Sequence, residues 1–134
     1  LATGFARFGS GEHLAPSRAR AASRLRLAVA ADPFMVAGSG RFDTRVMQRL
    51  GSRVFTKTGA EGIHAAALPE LGLGIAVKCR DGAGRAAEVA VAALIARYLK
   101  LTEAEMHPLQ DLLRPKLTNW SGQEIGEIRS GLPG

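Results

Sequence analysis

The stretch that most narrows the possible folds is residues 85–100. It is long enough for a four-turn helix and carries almost no polar surface. Ala86, Val89, Ala90, Ala93, Leu94 and Ala96 are spread around the helix rather than along one stripe, and between Ala86 and Leu99 the only charged residues are Glu88 and Arg97. A helix that is apolar nearly all round belongs in an interior. This one falls short of the ~20 uninterrupted apolar residues of a membrane span, so the expected resting place is the face of a sheet. The strands for that sheet lie just upstream. Residues 53–57, 62–68 and 73–79 each have the composition and spacing of strands, and Pro69-Glu70-Leu71-Gly72 joins the last two with proline in its favoured turn position. In the third strand, Leu73, Ile75, Val77 and Cys79 share one face, opposite Gly74, Ala76 and Lys78. The expected class is α+β, an antiparallel sheet with a buried helix packed on it.

The flanks are expected to be mainly helical. Residues 15–31 form a helix with Pro16 in its first turn and Asp32-Pro33 as its stop. Ala22, Leu25 and Val29 give it an apolar face, and Arg18, Arg20, Arg24 and Arg26 a solvated one. Residues 35–41 are a turn, in which Gly38-Ser39-Gly40 serve backbone geometry rather than anion binding. Asp43 or Thr44 caps a short helix whose buried stripe is Val46, Met47 and Leu50, ended by Gly51. Thr102 and Glu105 have capping-box spacing for another short helix that ends by Pro115. A turn at Trp120-Ser121-Gly122 then leads into a last strand, residues 123–129, with Gly126 at a bulge or close approach.

A chain of 134 residues is enough for one domain. Net charge is +6, but without a basic run and with only 5% aromatic residues, a nucleic-acid partner is not expected. Cys79 is the sole cysteine, which rules out an intrachain disulfide and fits a reducing, cytoplasmic setting. It is expected as a small core residue. His13, His64 and His107 are too scattered to suggest a metal site, and none is expected in this chain. No membrane association is expected.

The segment with chemical potential is Lys57-Thr58-Gly59-Ala60-Glu61-Gly62, where one strand ends and the next begins. A lysine at a strand edge facing a cleft can shuttle protons. Thr58 offers a hydroxyl that donates and accepts, and Gly59 lets a substrate lie close to the backbone. Together they resemble the K-T-G strand of serine β-lactamases and penicillin-binding proteins.

Four longer stretches carry a more specific resemblance: M-V-A-G-S-G-R-F-D-T (35–44), V-F-T-K-T-G-A-E-G (54–62), A-L-P-E-L-G-L-G-I-A-V-K (67–78) and N-W-S-G-Q-E-I-G-E-I-R (119–129). In this order they resemble the L-asparaginase II family, the Rhizobium-type asparaginases. The resemblance implies a serine β-lactamase-like fold and hydrolysis of L-asparagine to L-aspartate and ammonia. It implies a site with two serine–lysine pairs, in which Lys57 is the catalytic lysine that completes the second pair. Thr58 and Gly59 would lie beside the substrate. Glu61 would either meet the substrate's ammonium or stabilise the turn.

One departure stands out. Ser10, Ser17, Ser23, Ser39, Ser52, Ser121 and Ser130 all lack a lysine three positions on, so S-x-x-K is missing. The resemblance places the serines in an amino-terminal part without counterpart here, together with the cysteine and lysine ligands of those members that bind zinc. Residues 1–134 are thus expected to be the carboxy-terminal portion of one catalytic domain, inactive when isolated. The missing part or a second chain would complete it, with a homodimer as the default assembly. The alternative is a non-catalytic binding domain on the same fold.

Overall fold

Strands β1 (Phe55–Thr58), β2 (Ile63–Leu68) and β3 (Leu73–Lys78) pair antiparallel in the order β1-β2-β3 in the computed structural model, which describes residues 1–132. The register opposes Thr58 to His64 and Thr56 to Ala66 across the first pair, and His64 to Val77 and Ala66 to Ile75 across the second. Alternation therefore places Thr56, Thr58, His64, Ala66, Leu68, Leu73, Ile75 and Val77 on one face. Phe55, Lys57, Ala65, Ala67, Gly74 and Ala76 lie on the other.

The β1–β2 connection is a hairpin with a two-residue turn and one extra residue on the β1 side, because Gly59 and Ala60 both bond to Ile63. Ile63 N–H donates to Ala60 O at 3.1 Å, with positive φ at both central residues, Glu61 (55°) and Gly62 (70°). That is the type I′ geometry whose twist matches antiparallel strands. Pro69–Leu71 form a 3-10 turn between β2 and β3, closed by Gly72.

Helices cover both faces. Helix α1 (Ala2–Ser10) packs on β2 and β3 over their small residues. A Cβ on Gly74 would run into the backbone of Ala2 and Ala6, and one on Gly9 would meet Ala67 Cβ at 3.0 Å. The opposite face receives α4 (Phe42–Leu50) against β1 and α5 (Gly84–Tyr98) across β2 and β3. Their contact forms the core, in which Val46, Met47, Leu68, Val91, Ile95 and Leu99 are almost fully buried. The α+β class, the three-strand sheet and the apolar helix laid across it are as expected.

The departures have physical causes. Helix α1 was not foreseen, because Gly4 and Gly9 make residues 2–10 poor helix formers on their own. The sheet stabilises the helix, and glycine is what allows the close approach. Helix α2 (Pro16–Ala31) has the expected start and stop but not the expected buried face. Only Ala22 is buried, while Leu25 and Leu27 are 60% and 55% exposed. Its apolar residues do not form one stripe, so docking covers just a narrow line. Residues 34–37 make a one-turn helix, α3 (Phe34–Ala37), inside the expected turn, and β1 begins after a 3-10 turn at Gly51–Arg53 rather than at Arg53. Cys79 follows β3 and is only partly buried.

At the carboxy-terminal end, Thr102 and Glu105 form the capping box of α6 (Glu103–Met106), which continues through a 3-10 turn into α7 (Gln110–Leu113). The last strand does not join the main sheet. Strand β5 (Glu124–Glu127) pairs only with β4 (Lys116–Thr118), which was not foreseen, in a separate two-stranded hairpin turned at Trp120–Ser121. A register shift falls between Leu117 and Thr118. Too few apolar residues face one side of this ribbon to bury it, and both strands stay exposed.

Candidate functional site

Among the buried residues of helix α4, Asp43, Val46, Met47 and Leu50 form the i, i+3, i+4, i+7 stripe of a core-facing helix, with Phe42 and Thr44 buried beside it. The stripe therefore carries a carboxylate into the interior. Asp43 was expected as a helix cap, as was Thr44. Neither is one, since both lie within the first turn of α4, and Arg41 precedes it without a side-chain cap. Thr44 Oγ1 instead donates to Gly38 O at 2.7 Å, fixing the glycine turn through a carbonyl.

Asp43 is 1% exposed and sits under the end of β1. Its Oδ2 accepts the backbone N–H of Thr58 at 3.0 Å, and its Oδ1 lies 2.7 Å from His64 Nε2. His64 is itself fully buried, and Phe42 meets its ring edge-on with centroids 5.0 Å apart at 79°. His64 Nδ1 is buried without a hydrogen-bond partner among the described residues. A proton there would have no acceptor, so the ring is oriented with its Nε2–H donating to Asp43. Burial pushes the Asp43 carboxyl upward. The hydrogen bond and electrostatic attraction of His64, the Thr56 hydroxyl and the Thr58 amide pull it down more strongly, and it rests below the ordinary value of 3.8.

Lys57 lies on the opposite face of β1 and is exposed. Its Nζ donates to Thr58 O at 2.9 Å. Beside it is an open, largely apolar hollow of about 420 Å³, lined by Leu1, Gly4, Phe5, Phe8, Phe55 and Lys57. Phe8 and Phe5 lean on Phe55 with ring centroids 5.0 and 5.9 Å away. Thr58 is half-buried, and its hydroxyl reaches only Gly59 O, at 3.5 Å. A side chain on Gly59 would press on Ile63 at 3.3 Å, so the hairpin itself uses part of the space that glycine leaves. Glu61 occupies the left-handed hairpin position, with its carbonyl accepting from Lys78 Nζ at 2.5 Å.

The sequence pattern of the family described as L-asparaginase II matches residues 1–130. The chain belongs to the L-asparaginase II family. No curated protein matches it. For an L-asparaginase II chain, the geometry brings Lys57, Thr58, Gly59 and Glu61 together at one sheet edge and hairpin. Among the described residues of this asparaginase-family chain no group of three or more His, Cys, Asp or Glu side chains could hold a metal ion, and no helix is long and apolar enough to cross a membrane.

Asp43 and His64 escaped the reading of the sequence, although each left a trace. Asp43 is in step with Val46, Met47 and Leu50, and His64 is in step with Ala66 and Leu68 on β2. Two polar groups at core positions require partners, and each is the other's.

Proposed function

We propose that this chain is the carboxy-terminal portion of a Rhizobium-type L-asparaginase domain with a serine β-lactamase-like fold, and that Lys57 supplies the K-T-G lysine of its serine–lysine site. Membership of the L-asparaginase II family supports L-asparagine as the substrate. In the complete enzyme a serine attacks the side-chain amide carbon, ammonia leaves as an acyl-enzyme forms, and water releases L-aspartate. Lys57 relays protons between the serines, the amide and the leaving ammonia. Thr58 and Gly59 line the substrate, and Glu61 faces its ammonium or holds the turn.

The observation that carries this reading is the setting of Lys57. It is exposed on an edge strand over an open hollow whose lining includes no serine. A lysine so placed is ready to meet a nucleophile brought by other residues. That source is the amino-terminal part of the domain or a second chain, within a cytoplasmic homodimer. Zinc, where bound, is held by the same outside part.

The test is ammonia release from L-asparagine, measured for residues 1–134 alone and for the full reading frame that contains them. The expected result is no activity above a Lys57→Ala control for the isolated residues, and activity that Lys57→Ala abolishes in the full protein. Full activity of Lys57→Ala would refute the role of the lysine. Hydrolysis by the isolated residues would refute an external nucleophile. An inactive full protein would favour a binding domain on this fold, for which the missing S-x-x-K speaks.

A further inference from the structure

We infer that Asp43 and His64 are positioning residues for the K-T-G strand, a buried carboxylate–imidazole clamp that ties down the outward-facing amide of Thr58 and so fixes the backbone that carries Lys57. The inference rests on the reading of Lys57 given above.

Hydrogen-bond alternation along β1 sets the need for such a clamp. Gly59 N–H donates to Ile63 O at 2.8 Å, so Gly59 faces β2. Neighbouring residues of an antiparallel strand face opposite ways, which turns the N–H and C=O of Thr58 away from β2, toward the open edge. Unheld, the end of an edge strand is the easiest part of a sheet to fray. Here both groups are held, and by different partners. Asp43 takes the N–H from the core side at 3.0 Å, and the Lys57 ammonium donates to the C=O at 2.9 Å. The ammonium is thus referenced to a residue whose main chain Asp43 immobilises.

His64 completes the device. It opposes Thr58 across the β1–β2 pair and holds the other oxygen of Asp43 at 2.7 Å, which joins α4, β1 and β2 at one point. Stability alone does not require such an arrangement, because a buried pair is commonly replaced by apolar side chains without loss. An apolar residue at 43 would fill the stripe of Val46, Met47 and Leu50 but would leave the Thr58 amide unheld. Neither side chain reaches the hollow beside Lys57, which lies across the sheet, so both act through the strand and not on substrate.

The experiment compares variants of the full asparaginase that contains this chain, reading amide hydrogen exchange at Thr58 together with kcat and KM for L-asparagine per folded protein. In the unsubstituted protein the Thr58 amide is expected to exchange at least about tenfold more slowly than in an unstructured chain. Asp43→Leu is expected to abolish that protection and to lower kcat by about 100-fold, the effect of a roughly 1 Å misplacement, with KM changed far less. Asp43→Asn, which keeps an acceptor, should regain protection and much of the lost kcat, and His64→Gln should outperform His64→Leu. If Asp43→Leu does not fold, the unsubstituted protein and the His64 pair carry the test.

An unprotected Thr58 amide would overturn the clamp. So would protection or kcat indifferent to these substitutions, or equal losses in Asp43→Asn and Asp43→Leu. A Lys57→Ala protein that still hydrolyses asparagine would instead overturn the role given to Lys57, and the exchange measurements would continue to judge the tie between Asp43 and Thr58.

Discussion

Replacing Gly74 with alanine tests how closely α1 is seated on the sheet. The new Cβ would collide with the carbonyl of Ala2 and come within 2.5 Å of Ala6 N, where ordinary contact begins near 3.4 Å. Every obstacle is backbone, so no side-chain rotation relieves the clash. Helix α1 must back away by about 1 Å or more, which thins its contact with Ala67 and loosens Phe5 and Phe8 from Phe55. Overpacking of this kind costs about 2 to 3 kcal/mol. With a urea m-value of about 1 to 3 kcal/mol/M, the midpoint should fall by about 0.7 to 3 M. Gly126→Ala is the control, because a Cβ there meets nothing within 4 Å, and its effect should stay within about 0.5 kcal/mol. Urea titrations followed by far-UV circular dichroism give both numbers. A Gly74→Ala midpoint indistinguishable from that of Gly126→Ala would refute the claim that this glycine is needed for helix docking. The damage should also reach the site, since Phe5 and Phe8 wall the hollow beside Lys57.

Other consequences can be measured separately. Glu61 is a non-glycine residue at φ 55° in a type I′ turn, so Glu61→Asn should stabilise the fold by about 0.5 to 1 kcal/mol. A KM for asparagine that rises in the same variant would assign its carboxylate to the substrate, and an unchanged KM would assign it to the turn. The Asp43 carboxyl is depressed in the folded state, so its stabilisation is complete above the ordinary value of 3.8 and lost as pH falls through the lower folded value. The stability gap between the unsubstituted protein and Asp43→Asn should therefore shrink between about pH 5 and pH 2, and a gap unchanged over that range would contradict the assignment. Removing the capping box with Thr102→Ala should cost about 1 kcal/mol in thermal or urea melts, and no loss would show that the box adds nothing to folding.

Much of the sheet and of the helix across it was legible in the sequence, because both depend on local signals. Strand alternation at Leu73, Ile75 and Val77 and the all-round apolarity of residues 85–100 survive without knowledge of the partner. The same holds for the Thr102–Glu105 box. Helix α1 was illegible for the opposite reason. Gly4 and Gly9 weaken it locally, and only docking on Gly74 and Ala67 makes it stable. The β4–β5 ribbon was half-legible, since its turn at Trp120 is local but its separation from the main sheet is not. At the site, motif residues gave the position of Lys57 at once. The Asp43–His64 pair joins residues 21 positions apart, and it became visible only when α4 was laid against β2.

The tip of that ribbon has a practical consequence. Trp120 is the sole tryptophan of the sequence, and it is fully exposed at the β4–β5 turn, outside the core. Its emission in the native protein will already resemble that of indole in water, and global unfolding will move it little. Intrinsic fluorescence is therefore a poor thermometer for this fold and a good antenna for anything that settles on the ribbon: a shift to the blue would mark coverage of the tip, whether or not the rest of the chain had changed.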